Sequence, residues 1–599
     1  MIDKNNMVTL TIDDRVVTVP AGTTILNAAR ELGIEIPTLC AMEHISHAPG
    51  ACRVCVVEVD RARSLVASCV YPVAAGMRVR TNTSRVRKAR RDIIEFMLSD
   101  HPADCNTCVK NGSCLLQKVA ARLGVREIRF DREFTPAVRN IDNSSPALVR
   151  ETDKCINCLR CVTVCAEVQG VHILTPEGRG FDCRIVPAMG AKLADTDCTY
   201  CGQCAVVCPT GAIVEKDDTD LVWAALEDPK KHVVVQAAPA IRASLGEELG
   251  LPAGSLVTGK MITAFRAMKF DRVFDTNFAA DLTIVEEGNE LLARIESGGT
   301  LPMITSCCPG WIRFAEHTYP DLLGHISTCK SPQQMFGALA KSYYAQVAGI
   351  DPSEIFVVSI MPCTAKKFEI TRPEMNSSGY RDVDAVLTTR ELGRMIRQMG
   401  LDFATLESSE YDPPMGEYTG AATIFGATGG VMEAALRTVY AVVTGSNMPK
   451  LDVEPVRGLE GIKAATIEVG KLGPVKVAVA HGLANARKVL DQIVAGESEY
   501  HFIEIMACPG GCVGGGGQPL PVNVSKLRAR SNALYRDDAE VQELRQSHEN
   551  PSLSEAYRKF LKEPNSEVAH HYLHTSYKPA RPMDAEPLEG DKESWIATH

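Results

Sequence analysis

Thr305-Ser306-Cys307-Cys308-Pro309-Gly310-Trp311 places two adjacent cysteines just after the apolar, strand-like segment 301–304. Two later runs repeat that arrangement: Met361-Pro362-Cys363-Thr364-Ala365-Lys366-Lys367-Phe368-Glu369 follows segment 355–360, and Met506-Ala507-Cys508-Pro509-Gly510-Gly511-Cys512-Val513-Gly514 follows segment 502–506. Cys308, Cys363, Cys508 and Cys512 form a four-thiolate set suited to an iron–sulfur cube or a tetrahedral metal. Open α/β sheets build their sites at strand ends, where these cysteines are expected. A structural zinc site closed by three loops is the competing reading. The doubled Cys307-Cys308, Lys366 and the glycines after Cys512 argue against it, because a closed structural site requires none of them.

Around those segments the strand–loop–helix pattern recurs from about residue 232, as in 383–397, 475–493 and 502–510, which predicts an α/β domain with parallel strands. Segment 282–295 reads as a helix with Glu287, Glu290 and Arg294 on one face, a spacing that by itself favours a solvated face. Gly254 to Met261 nearly spells a phosphate-binding loop, but Met261 stands where the hydroxyl should be. Phe425-Gly426-Ala427-Thr428-Gly429-Gly430, read as lying between a short strand and a helix, fits close backbone approach to a cofactor better than a dinucleotide fingerprint. Cys307 cannot easily ligate beside Cys308, and a free thiol there could relay protons with its pKa tuned towards neutrality.

The bulk properties agree with a large metalloprotein. The 599 residues carry a net charge of −10, which disfavours nucleic-acid binding, and contain no apolar run of a membrane span's length, about 18 residues. The N-terminal residues show no export signal, so the expected compartment is the cytoplasm. There, 22 cysteines in clustered spacings mean metal ligation rather than disulfides.

Upstream the clusters follow one another. Residues 8–19 read as a β-hairpin about Asp13-Asp14-Arg15, and Thr24 caps a helix running to Leu32. Cys40, Cys52, Cys55 and Cys69 then suit a 2Fe-2S cluster, with zinc as the alternative. The basic run Arg85 to Arg91 opens a helix and reads as a solvated face. His101, Cys105, Cys108 and Cys114 supply three thiolates and an imidazole. Cys155, Cys158, Cys161 and Cys165, followed by Cys198, Cys201, Cys204 and Cys208-Pro209, are the two-cluster bacterial ferredoxin pattern. In that pattern the fourth cysteine of each run crosses over, so Cys208 joins the first run and Cys165 the second. Cys183 and Cys329 remain as small buried hydrophobes.

The segments TSCCPGW, MPCTAKKFE and MACPGGCVGGGGQP, with the cluster modules before them, resemble the FeFe (iron-only) hydrogenases over nearly the whole chain, and more narrowly the catalytic subunit of multisubunit, NADP-reducing hydrogenases. The resemblance implies a multidomain α+β protein. Its parts are a β-grasp 2Fe-2S module (1–80), a His/Cys3 4Fe-4S module (81–143), a two-4Fe-4S ferredoxin module (144–225), a two-lobed α/β H-cluster domain (226–519) and a fused helical small-subunit-like tail (520–599). It also implies one 2Fe-2S cluster, three accessory 4Fe-4S clusters and an H-cluster. In the H-cluster a cube on Cys308, Cys363, Cys508 and Cys512 joins, through Cys512, a di-iron subcluster bearing carbonyl, cyanide and a bridging dithiolate.

By the same resemblance Lys366 holds a cyanide, and Pro239, Ala240, Ser331, Gln333, Met361, Met506 and Gly426 line the pocket. Cys307, Glu287, Ser327, Glu290 and Arg294 align with the proton route. The implied activity is reversible oxidation of dihydrogen, with electrons passed to flavin/NAD(P)-binding and 2Fe-2S partner subunits and ferredoxin as a further candidate partner. The alternatives are a dihydrogen sensor, a non-catalytic subunit like that of respiratory complex I and an iron–sulfur assembly factor. The polar tail after Pro519 carries histidines read as surface contacts.

Overall fold

A computed structural model describes residues 3–42, 45, 48–130 and 140–580; the extreme N-terminus and the last part of the tail lie outside the described residues. The chain forms two compact units. One comprises residues 1–167, 172–191 and 203–214; the other comprises 168–171, 192–202 and 215–599. The division falls inside the ferredoxin-like stretch.

The first unit opens with the expected hairpin, Asp3–Ile12 against Arg15–Ala21, turning on Asp13 and Asp14 in left-handed conformations. Strand Arg78–Arg80 pairs parallel to the first strand, and Val56–Val59 and Val66–Ala67 complete a five-stranded sheet. Thr24 caps helix Ile25–Glu31 through a bond from the Asn27 amide, as its position before an apolar run requires. The basic helix Ser84–Ser99 departs from the expected solvated face at Arg90, which is buried and donates to the Val56 carbonyl at 2.8 and 3.2 Å. That residue lies on the same helix face as Val86 and Ile94, which are fully buried.

Two four-stranded sheets carry the second unit. In one, Arg272–Asp275, His232–Ala237, Ile355–Met361 and Ala385–Thr388 are all parallel, and their near-continuous apolar runs reflect burial on both faces. In the other, Met303–Ile304, Phe502–Met506 and Pro474–His481 run parallel, while Ile462–Glu468 closes the edge as an antiparallel partner. That last strand is mostly exposed or half-buried, as an edge is. Helix Thr389–Gln398 begins with a capping box between Thr388 and Glu391.

Helix Thr276–Ser297 starts six residues before the expected Leu282, because Asp275 caps it by accepting from the Asn277 amide at 2.9 Å. The Asp275 carboxylate also takes two bonds from Arg242, at 2.7 and 3.0 Å, and both side chains are fully buried. Arg242→Met removes the cation and leaves the acid uncompensated, so we expect a stability loss of about 3–5 kcal/mol, read as a lowered thermal midpoint.

The tail is not merely polar. Helices Pro551–Ala556 and Glu567–Leu573 contribute Leu553, Ala556, Ala569 and Leu573 to the same core as the first sheet. Helix Val524–Arg536 buries Arg530, which donates to the Val513 and Pro519 carbonyls at 2.8 and 3.0 Å.

Candidate metal centre

Three strand ends of the second unit meet at one cavity. Ile355–Met361 leads into Cys363, Phe502–Met506 into Cys508, and Met303–Ile304 into Cys307 and Cys308, with Cys308 at the start of helix Pro309–Thr318. The cavity has an empty volume of ≈ 730 Å³, and Cys307, Cys308, Cys363, Cys508, Cys512 and Lys366 all line it. Pro239, Met361, Phe425, Gly426, Met506 and Gln333 supply its walls. Ala240 and Ser331 sit behind that wall: Ala240 is fully buried, and the Ser331 hydroxyl donates to Glu369 at 2.9 Å.

The loop from Cys508 to Cys512 can take this path because of its glycines. Gly511 has φ +86°, and a Cβ there would stand 2.7 Å from the Thr428 amide nitrogen, so only glycine brings Cys512 this close to the facing turn. No strand precedes Gly426; the short helix Gly420–Thr423 runs into the turn Ile424–Gly426. A Cβ at Gly426 would fall 2.5 Å from Leu534 Cδ1, so its small size serves packing against the tail helix as well as the cavity.

The donor set fits a metal cluster on its own chemistry. Burial raises the pKa of all four thiols, and neighbouring thiolates push Cys363, Cys508 and Cys512 further, Cys363 to about 12. Four mutually repelling sulfurs in a nearly apolar cavity become thiolates only against a compensating cation, which an iron–sulfur cube provides. Lys366 Nζ is the cation already present. Burial opposes its charge, yet Glu369, 2.9 Å away, outweighs that and raises its pKa. It also donates to the Cys307 carbonyl at 3.1 Å.

Cys307 lies beside this set. Burial, then Glu287 and Cys308, drive its pKa well above the ordinary thiol value rather than towards neutrality, so the group is a protonated thiol. Glu287 is fully buried; desolvation, then Glu290, push its carboxyl up to about 8. Its Oε1 has no hydrogen-bond partner. The Ser327 hydroxyl donates to Glu290 Oε2 at 2.8 Å, and Arg294 donates to Glu290 Oε1 at 2.7 Å. The helix face inferred from spacing is therefore an interior face, covered by segment 324–328.

In the first unit the sulfurs also gather. Cys40, Cys52, Cys55 and Cys69 are all buried, and neighbouring thiols hold the pKa of Cys40 and of Cys55 below the ordinary thiol value. His101 is half-buried with a buried, unpartnered Nδ1, and desolvation lowers its pKa to about 4, leaving a neutral imidazole fit to ligate. Cys155, Cys158, Cys161 and Cys208 line one cavity with an empty volume of ≈ 440 Å³, which is the crossed-over grouping. Cys183 is half-buried rather than buried; its carbonyl accepts from Asn157.

Sequence reasoning gave no role to three buried acids. Glu369 collects Lys366, Ser331 and Gln333 on one oxygen, at 2.9, 2.9 and 3.0 Å. Its place three residues after Lys366 on a helix was the available signal. Glu504, an acid inside the apolar strand Phe502–Met506, accepts from the Gly429 and Met432 amides at the start of helix Gly430–Thr444. Glu286 holds Tyr557 and Asn565 at 2.5 and 2.8 Å and contacts His574, which is buried rather than a surface contact.

Comparison with known proteins agrees with this geometry. The model of the iron only hydrogenase large subunit, C-terminal domain, matches residues 231–516. A 2Fe-2S iron-sulfur cluster binding domain matches 5–84, the NADH-ubiquinone oxidoreductase-G iron-sulfur binding region 90–129, a 4Fe-4S binding domain 194–214 and the iron hydrogenase small subunit 524–580. The NADP-reducing hydrogenase subunit HndD of Solidesulfovibrio fructosivorans is 51% identical over 96% of this chain and 99% of its own length. Iron hydrogenase 1 of Clostridium pasteurianum is 42% identical over 93% of this chain and 97% of its own. The solved FeFe-hydrogenase HydA1 from Chlamydomonas reinhardtii matches 61% of this chain and 99% of its own at a TM-score of 0.55 and 43% identity.

Proposed function

Because the chain belongs to the iron-only hydrogenase family, we propose that its cavity residues perform the reversible oxidation of dihydrogen to two protons and two electrons in the roles set out below. The observation that carries this is the single cavity lined by four candidate ligand thiols, a fifth thiol and one buried ammonium. Cys308, Cys363, Cys508 and Cys512, which line that cavity together, would hold the cluster. When bound, that group supplies the heterolytic splitting of dihydrogen, and the upstream iron–sulfur domains relay its electrons.

The chain's own work is to move protons and exclude water. Cys307 Sγ hands a proton to Glu287, whose carboxyl accepts on one oxygen and releases from the other. Ser327 passes it to Glu290, which Arg294 holds in place. Pro239, Met361, Phe425 and Met506 keep the cavity apolar, so that Lys366 donates in a low dielectric.

Glu369 aims Lys366. Glu369→Gln exchanges a charge-assisted bond for a neutral one, worth about 1.5–3 kcal/mol, and should cut turnover roughly 10- to 100-fold with the clusters retained. Dihydrogen-dependent dye reduction with parallel iron analysis reads this directly.

Among the described residues no helix is long and apolar enough to cross a membrane. The likeness to an NADP-reducing hydrogenase subunit supports a cytoplasmic assembly in which flavin/NAD(P)-binding and 2Fe-2S partner subunits, with ferredoxin as a further acceptor, take the electrons. Matured protein should reduce a viologen dye under dihydrogen on its own, and NADP only with those partners added. Absence of dye reduction in protein with full iron content would reject the activity.

A further inference from the structure

The proton route ends on a residue poorly suited to release protons. Arg294 offers only N–H donors and no acceptor, so it orients Glu290 and gives an arriving proton nowhere to bind. A second set of groups meets Glu290 from the tail. His574 follows helix Glu567–Leu573, and its ring lies between two partners. Its Nε2 is 3.2 Å from Glu286 Oε2, and its Nδ1 is 2.8 Å from Thr328 Oγ1. The Thr328 amide donates to both Glu290 oxygens, at 3.0 and 3.2 Å. A His574 ring nitrogen, Cys329 Sγ and a Glu290 oxygen all lie within 4.8 Å of one another. On the other side, the ring of exposed His570 lies tilted against that of His574, with centroids 4.2 Å apart.

Resting on the route proposed above, we propose that His574, with Thr328 and Glu286, forms a proton-exchange branch that joins the route at Glu290 and opens to solvent at His570. The proton bookkeeping closes without any other reactant. Neutral His574 donates Nε2–H to the Glu286 carboxylate and accepts at Nδ1 from the Thr328 hydroxyl. A proton arriving on Nδ1 reverses that bond and frees the hydroxyl hydrogen, which Glu290, an oxygen of which lies within 4.8 Å of a His574 ring nitrogen, takes up. In the oxidative direction the same steps run backwards, and His570 delivers the proton to water. Glu286 stays in place throughout, because Tyr557 and the Asn565 amide hold it. The other titratable or charged groups facing this branch are Cys329, Glu287 and Arg294.

The test uses the matured full-length protein with dihydrogen-dependent dye reduction from pH 6 to 9, in water and in deuterium oxide. H574Q keeps hydrogen bonding but cannot titrate. We expect it to lower turnover ~10-fold, raise the solvent isotope effect and flatten the pH profile, with the carbonyl infrared bands unchanged. T328V should do the same, because the amide bonds to Glu290 survive; it decides the matter if H574Q fails to mature. Wild-type rate and pH profile in T328V or matured H574Q, with Glu287→Gln inactive, would overturn the branch and leave the route standing. Wild-type turnover in Glu287→Gln would instead overturn the route itself.

Discussion

Glu287→Gln should lower dihydrogen turnover by roughly 100- to 10,000-fold, the range for losing a positioned proton-transfer group, while iron content and infrared bands stay as in the wild type. The side chain is fully buried and isosteric with glutamine, so the fold has little to lose. An amide can hydrogen-bond but cannot accept a proton from Cys307 and release another towards Ser327. The wild-type pH dependence follows from the same group. Burial and Glu290 raise its carboxyl to about 8, so it is a neutral acid at pH 7. Activity should fall as pH passes about 8 and Glu287 ionises beside Glu290. The linked stability runs the same way: protonation favours the fold below the ordinary carboxylate range, and that contribution is lost as pH rises through about 8.

Cys363→Ala should be more damaging still, removing turnover altogether together with the iron of the cube. The four thiols are each held above their ordinary pKa, so the cation that binds them offsets a large electrostatic cost. With three thiolates and a methyl group in a nearly apolar cavity, the cube loses a ligand that nothing nearby replaces. The accessory clusters rest on other cysteines, so their paramagnetic signals in the reduced protein should persist. Iron analysis and electron paramagnetic resonance separate the two effects. Full iron content in this variant would contradict the ligand assignment.

The sequence made the metal chemistry legible because ligands leave local marks. Cys155 to Cys165 and Cys198 to Cys208 declare themselves by spacing, and Cys308, Cys363 and Cys508 do so by following apolar strands that the structure contains. The order proposed for the proton route rests on the family resemblance, because spacing alone does not give it. What stayed hidden were contacts between distant segments. Glu286 and His574 are 288 residues apart, and neither sits in a recognisable motif. Arg90 reads in the sequence as part of a solvated run, because charge alone does not reveal which helix face turns inward. The raised thiol at Cys307 likewise depends on the burial of Glu287 beside it, which three-dimensional packing sets.

The most direct test of the central assignment is infrared spectroscopy of the matured protein under dihydrogen, recorded with hydrogen uptake on the same sample. The roles given to the cavity predict sharp carbonyl and cyanide bands that change with redox state, accompanied by dye-linked uptake. Matured protein with full accessory iron but no such bands, or with bands and no uptake, would contradict it.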